Sequence, residues 1–68
     1  MYKVMGRHKD ENYFLCLDRE IPLREEASKI AMAMFLDSDR FVEVTIERDI
    51  GHSVDNEPKV LTRIVRIH

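Results

Sequence analysis

Residues 23–35 read LREEASKIAMAMF, and this stretch decides the fold of the chain. Its apolar residues recur at spacings of three and four, which places them on one stripe of an α-helix. The stripe comprises Leu23, Ala27, Ile30, Ala31 and Met34. Pro22 suits the first turn of a helix, because the N–H that proline lacks is not needed there. The sequence therefore predicts a helix that starts near Ile21 to Leu23 and ends at Asp37-Ser38-Asp39.

Two features of this helix indicate how it packs. Ala27 and Ala31 lie one turn apart, so their small side chains would let the helix axis approach a sheet closely. Asp37 and Asp39 lie at the negative end of the helix dipole, where acids are unfavourable, and no glycine follows to end the helix. We therefore expect packing against the rest of the fold to end it.

Two strands are predicted before the helix. Residues 2–7 alternate between two faces in the manner of a strand. Polar turn residues at 9–12 separate them from YFLCL at 13–17, which is rich in residues that favour strands. The two segments together predict a hairpin.

Two further strands are predicted after the helix. Residues 41–46 alternate as a strand with one buried face and one wet face. The buried face comprises Val42, Val44 and Ile46, and the wet face comprises Glu43, Thr45 and Glu47. Residues 49–58 are mostly polar and contain turn-forming residues, which predicts a long hairpin loop. Residues 60–67 then form the last strand.

These elements predict a single α+β domain over residues 1–68 with the order β-β-α-β-β. Two short hairpins cannot each bury a face alone, so we expect two layers, a four-stranded and mostly antiparallel sheet with the helix packed on one face. A fully antiparallel sheet has the strand order 2-1-3-4. The alternative order 1-2-3-4 would need the second and third strands to run parallel, and we favour the former.

The last strand carries aliphatic side chains on both faces. One face comprises Val60, Thr62, Ile64 and Arg66, and the other comprises Leu61, Arg63, Val65 and Ile67. One interpretation is a β-bulge that shifts the register, or an edge strand whose outer side chains are tolerated singly. The other is that this edge, or the far face of the sheet, pairs with a second copy to form a homodimer. The sequence leaves both open.

The charges of the chain are segregated. All 13 acidic residues fall between Asp10 and Glu57, so the two ends sum to +6 and the middle to −8, for a net charge of −2. Basic strips attract phosphates or acidic protein surfaces. However, pairing of the third and fourth strands would set Arg63 and Arg66 near the glutamates of the third strand. This structural pairing is the favoured interpretation.

The candidate partner-binding residues are the six terminal bases and two apolar residues of the helix. The bases are Lys3, Arg7, Lys9, Lys59, Arg63 and Arg66. Met32 and Phe35 lie on the helix flank beside the main stripe and would add an apolar anchor if the core does not absorb them. The acidic middle of the chain could also present a negative surface to a basic protein.

No motif indicates catalysis, a cofactor or a metal. His8, His52 and His68 stand alone, without the short His and Cys spacings that build a zinc site. Cys16 lies between two leucines of a strand, where we expect a half-buried structural thiol. With two glycines the chain has no Gly-rich phosphate loop. We expect a protein that is not an enzyme.

Hydropathy and charge give two further expectations. No stretch approaches the roughly 20 apolar residues that span a bilayer, and no signal peptide is visible, so we expect a cytoplasmic protein with no membrane contact. The net negative charge is unlike the strongly basic character of dedicated nucleic-acid domains, which makes nucleic acid the weaker candidate partner.

The order of elements resembles a known group of proteins. A helix like LREEASKIAMAMF after a first hairpin, the stripe Ala27-x-x-Ile30-Ala31, and a long loop between the last strands are similar to small accessory proteins of phages and mobile elements, anti-CRISPR inhibitors among them. The resemblance implies binding to a host protein or nucleoprotein rather than catalysis. We expect a homodimeric interaction module that binds a protein partner. The alternative is a weak nucleic-acid or nucleoprotein binder that uses the basic first and last strands.

Overall fold

The computed structural model describes residues 1–37, 39–48 and 60–66, which form four strands and one helix. In chain order these are β1 (Tyr2–His8), β2 (Leu15–Ile21), α1 (Arg24–Asp37), β3 (Phe41–Arg48) and β4 (Val60–Val65). The predicted loop at 49–58 lies outside the described residues, as do Lys59, His52 and His68.

The four strands form one sheet in the order β2-β1-β3-β4, and all three neighbouring pairs are antiparallel. The predicted α+β fold and the predicted strand order are confirmed. β1 and β3 pair along almost their whole length, with Val4 opposite Ile46 and Gly6 opposite Val44. They are therefore the central strands, and β2 and β4 lie at the two edges of the described sheet.

The helix packs on one face of the sheet through its small side chains. Ala27 and Ala31 are fully buried, as their spacing predicted, and they contact a core that includes Val4, Val44 and Ile46. Burying a valine or isoleucine side chain, such as those of this core, contributes about 1.5–3 kcal/mol. The close approach of helix and sheet lets these larger side chains of the described core be buried beneath the helix.

Gly6 lets two side chains close over the centre of β1. A Cβ at this position would lie 2.8 Å from Cδ1 of Leu17 and 2.9 Å from Cδ1 of Phe41, closer than carbon atoms approach without strain. Both of these side chains pack against the core. The glycine is therefore needed for close approach rather than for a turn.

The second strand begins and ends later than the sequence predicts. It runs from Leu15 to Ile21 instead of over 13–17, and Ile21 pairs with Tyr2 and is buried. The sequence does not reveal that the strand continues through the polar residues 18–20. Two register shifts interrupt the pairing of β2 with β1 there, so apolar and polar side chains do not alternate. Within this region Glu20 has a positive φ of 59°, a conformation typical of a bulge or turn.

The helix begins at Arg24, one residue after the predicted start near Ile21 to Leu23. The carbonyl of Leu23 accepts the first helical hydrogen bond, from the N–H of Ala27 at 3.1 Å, so Leu23 is the N-cap. An N-cap residue has a non-helical backbone, and its side chain leaves the stripe. The prediction that Leu23 belongs to the buried stripe is wrong, since it is 62% exposed.

The face of β3 that was predicted to be wet is covered at its centre. Thr45 is only 1% exposed. It pairs with Met5 of β1 on one side and with Arg63 of β4 on the other, and its hydroxyl donates a hydrogen bond to Oε2 of Glu47 at 3.1 Å. Among the described residues, the neighbours of this short polar side chain on β1 and β4 carry the longer side chains of Met5 and Arg63.

The bulge interpretation of the last strand is confirmed. Ile46 pairs with Thr62 while Glu47 pairs with Val60, so Leu61 is an extra residue on β4. Beyond the bulge, Ile64 pairs with Val44 and packs against the core, whereas Arg63 and Val65 lie on the face without the helix. The strand is described from Val60 to Val65, and Ile67, the predicted last residue, lies outside the described residues.

The C-terminal end of α1 is held by Arg66, the residue that follows β4. Nη2 of Arg66 donates to the carbonyl of Phe35 at 2.7 Å, and its guanidinium carbon lies 4.5 Å from the centre of the Phe35 ring. The N–H of Arg66 also donates to the carbonyl of Val42 at 2.8 Å. The last turn of the helix contains no basic residue of its own, so Arg66 supplies the positive charge that the dipole favours there.

We predict that Arg66→Met lowers the free energy of unfolding by about 1.5–3 kcal/mol, because it removes a charged hydrogen bond and leaves a helical carbonyl without its partner. Lys29→Met is the matched control, since Lys29 is an exposed cation in the middle of the same helix. Urea denaturation followed by circular dichroism measures both variants. Equal loss in the two variants would contradict the anchoring role.

Candidate interaction surfaces

A cluster of two arginines and one glutamate lies on the face of the sheet without the helix. Arg7 and Glu43 are partners across β1 and β3, with Nη2 of Arg7 3.7 Å from Oε1 of Glu43. Nε of Arg63 lies 2.9 Å from Oε2 of the same carboxylate. We call Arg7, Glu43 and Arg63 the arginine–glutamate cluster. It shows that two of the predicted partner-binding bases are held by an acid of their own sheet.

The three side chains of the cluster differ in how far they are exposed to solvent. The Glu43 side chain is 13% exposed, whereas those of Arg7 and Arg63 are 29% and 59% exposed. An exposed cation loses little when its ion pair is broken, but a largely desolvated carboxylate depends on its partners. The cluster therefore matters chiefly because it gives the Glu43 carboxylate, which is largely removed from water, two ion-pair partners.

The remaining bases do not continue this cluster into a strip. Lys3 stands opposite Glu47 across β1 and β3. Arg66 lies at the end of the helix, 3.9 Å from Oδ1 of Asp39, rather than beside the glutamates of β3 as the sequence suggested. Lys9 is exposed in the turn after β1, where its N–H donates to the carbonyl of Arg40 at 3.1 Å. The predicted basic ends are thus divided between two faces and a turn.

The two apolar candidates on the helix separate in the structure. Met32 is 44% exposed, as an anchor would be. Phe35 is half-buried, packs against the core and carries the Arg66 guanidinium on its ring, so it is part of the fold. Leu36 takes its place at the surface, 73% exposed and one turn after Met32. The spacing of four between Met32 and Leu36 was the sequence signal for this pair.

The hairpin end of β2 carries the second exposed apolar surface. Tyr13, Phe14 and Leu15 are 55%, 37% and 38% exposed, and we call these three consecutive residues the apolar tip. Cys16 is also exposed rather than half-buried as predicted, whereas Leu17 packs against the core. Sequence reasoning missed this surface because YFLCL was interpreted only as the second strand of the first hairpin.

Polar contacts hold the turn that precedes the apolar tip. Nη1 of Arg7 donates to the carbonyl of Glu11 at 3.0 Å, and the N–H of Glu11 donates to the carbonyl of His8 at 3.2 Å. Hydrogen bonding to the Glu11 carboxylate, and then its negative charge, raises the pKa of Tyr13 above its usual 10.0. Arg7 therefore links the turn at the apolar tip to the arginine–glutamate cluster.

No family model, curated protein or solved structure matches this chain. The candidate surfaces are therefore judged from the geometry of the chain alone. Within the described residues, no group of three or more His, Cys, Asp and Glu side chains is placed to hold a metal ion. The helix that the structure describes is too short and too polar to cross a membrane.

We predict that Glu43→Gln lowers the free energy of unfolding by about 1–2 kcal/mol, because it leaves Arg7 and Arg63 facing each other without the shared carboxylate. Arg63→Met alone should cost less than about 1 kcal/mol, since its side chain is mostly solvated. Urea denaturation of both single variants and the double variant closes a double-mutant cycle. Strict additivity of the two losses would show that the cluster does not act as a unit.

Proposed function

We propose that this chain is a non-enzymatic interaction module that binds a protein partner through exposed apolar side chains. The observation that carries the proposal is the apolar tip, three consecutive exposed apolar residues at an open edge of the sheet. Runs of this kind on a folded surface are typical of interaction sites, since single exposed apolar residues are common but contiguous ones are not.

The distribution of positive charge supports a protein partner over nucleic acid. A nucleic-acid surface needs cations that are free to neutralise phosphates. Here Arg7 and Arg63 share the carboxylate of Glu43, and Arg66 is engaged by the helix end. What favours the second candidate, a weak nucleic-acid or nucleoprotein binder, is the 59% exposure of Arg63 and the exposed position of Lys9.

The biological role that fits this module is that of an accessory or inhibitory protein of a phage or mobile element, acting in the cytoplasm by occupying a surface of its target. Such a role needs a rigid scaffold and a recognition surface, and it needs no catalytic cleft. The apolar tip together with Met32 and Leu36 supplies exposed side chains on both the sheet edge and the helix.

A homodimer is the second part of the proposal, with β4 as its interface. β4 has no further strand on its outer side among the described residues, and Val60 and Val65 are 37% and 51% exposed. Two copies that pair along β4 would form one continuous sheet, which covers the β4 edge of both copies and leaves their β2 edges open. The two apolar tips would then lie at the far ends of that sheet.

We predict that the wild-type chain captures a protein partner from cells that express it naturally, and that Phe14→Ser with Leu15→Ser abolishes the capture. The double change Lys3→Glu with Lys9→Glu should retain it, and this variant is the control for charge. Affinity capture with and without nuclease, followed by mass spectrometry, measures the outcome. Capture that nuclease and the charge reversal both abolish would instead favour the nucleoprotein alternative.

We predict a species of twice the 8.1 kDa chain mass in sedimentation velocity at micromolar concentration. Val65→Lys should shift it to the monomer, because a lysine blunts an edge strand. Leu36→Lys adds the same charge on the helix and should leave the dimer intact. A wild-type chain that stays monomeric at the highest concentration contradicts this part of the proposal.

A further inference from the structure

β2 is an edge strand with one side unpaired. It pairs with β1, and no described strand lies on its other side. Most of its residues are exposed, and Ile21 at its end is the buried exception. An edge of this kind presents unpaired N–H and C=O groups to any extended segment that approaches it. The two halves of β2 differ in how accessible these backbone groups are to an incoming strand.

The second half of β2 is closed by its own side chains. The carboxylate of Asp18 accepts a hydrogen bond from the N–H of Arg19 at 2.8 Å, and the thiol of Cys16 lies 3.7 Å from the carbonyl of Asp18. Two register shifts and the positive φ of Glu20 bend the same segment. Bulges, charges and local hydrogen bonds are the usual means by which edge strands avoid pairing.

The first half lacks these protections as far as Leu17, where the first register shift occurs. Leu15 and Cys16 pair in unbroken register with Gly6 and Met5 of β1. Residues 13–17 contain no charge, no proline and no glycine, and the apolar tip that begins them is exposed. We call residues 13–17, which are the two residues before β2 and the first three residues of it, the open half of β2. At Leu15 and Cys16, regular pairing with β1 sets the backbone in the extended geometry that a further strand needs.

Acidic residues flank the open half on both sides. Asp10 and Glu11 precede it and Asp18 and Glu20 follow it, while Arg19 is the only base within residues 10–20. A second copy of the chain that paired along β2 would bring the same acids to the same edge, and like charges oppose that pairing. A segment with basic residues on both sides of an apolar core would meet complementary charge instead.

We propose that the open half of β2 accepts an additional β-strand from the protein partner, an extended apolar segment with basic flanks. This proposal rests on the protein-binding function proposed above and names how the partner is held. Main-chain hydrogen bonds along residues 13–17 would supply affinity, and alternate side chains of the added strand would contact the apolar tip. The closed half would fix where the added strand ends, because pairing cannot continue past the bulges at residues 17–20.

The test uses two display libraries of extended peptides, both with random positions that match the length of residues 13–17. One library has lysines at both flanks and the other has glutamates. Selection on the wild-type chain should enrich lysine-flanked, proline-free peptides with alternating apolar residues. Titration of a selected peptide into labelled chain, followed by NMR, should protect the amides of residues 13–17 from hydrogen exchange.

Two chain variants make the result specific. Leu15→Lys places a charge in the open half and should weaken binding of the selected peptide at least several-fold. Leu36→Lys introduces the same side chain at the exposed end of the helix and should leave binding unchanged. Both changes fall on exposed positions, and circular dichroism of each variant checks that the fold is retained.

The remaining outcomes overturn the proposal. Selected peptides that protect the helix instead of residues 13–17, or equal enrichment of the two libraries, would show that strand addition at this edge is not the mode of binding. Protection of residues 13–17 that grows with protein concentration in the absence of peptide would assign the edge to a second copy. If no peptide binds while capture of a protein still depends on Phe14 and Leu15, strand addition fails and protein binding stands. If both are lost, both proposals fail.

Discussion

The burial of Ala27 and Ala31 against the sheet is the constraint on which the rest of the structure depends. Because these side chains are small, the helix lies close to Val4, Val44 and Ile46, and the strands that carry those residues must be neighbours at the centre of the sheet. β2 and β4 are then left at the edges. The exposed positions of the apolar tip and of the outer side of β4 therefore follow from a packing requirement in the middle of the molecule.

The same arrangement explains why the basic ends of the chain are not free. Pairing β1 and β4 with the two sides of β3 brings a largely desolvated Glu43 between Arg7 and Arg63, which are its ion-pair partners. The helix ends in acidic residues without a glycine, and Arg66 offsets the negative end of its dipole from across the sheet. The charge segregation of the sequence is thus largely a requirement of folding, in which the terminal strands neutralise the middle of the chain.

The correct predictions came from local patterns in the sequence. The errors arose where the structure depends on contacts between residues that are far apart in the sequence. The spacing of Ala27 and Ala31 predicted the helix and its buried face. The expectation that all neighbouring strands are antiparallel predicted the strand order. The bulges of β2 could not be predicted in this way, because register depends on which atoms of β1 lie opposite. The contact of Arg66 with Phe35 joins residues 31 positions apart, and no local pattern encodes it. The candidate surfaces were predicted least well, since exposure is what remains after all such contacts are made.

The unequal halves of β2 connect stability to recognition. An edge strand that is open along its whole length invites pairing with any extended chain, whereas one that is closed throughout offers a partner only its side chains. Here Asp18 caps the N–H of Arg19 and the bulges bend the backbone, so pairing is confined to residues 13–17. The acids on both sides of that segment oppose a second copy of the same edge and attract a basic segment. A short open stretch between acidic flanks can therefore be selective, because an incoming strand must match both its length and its charge.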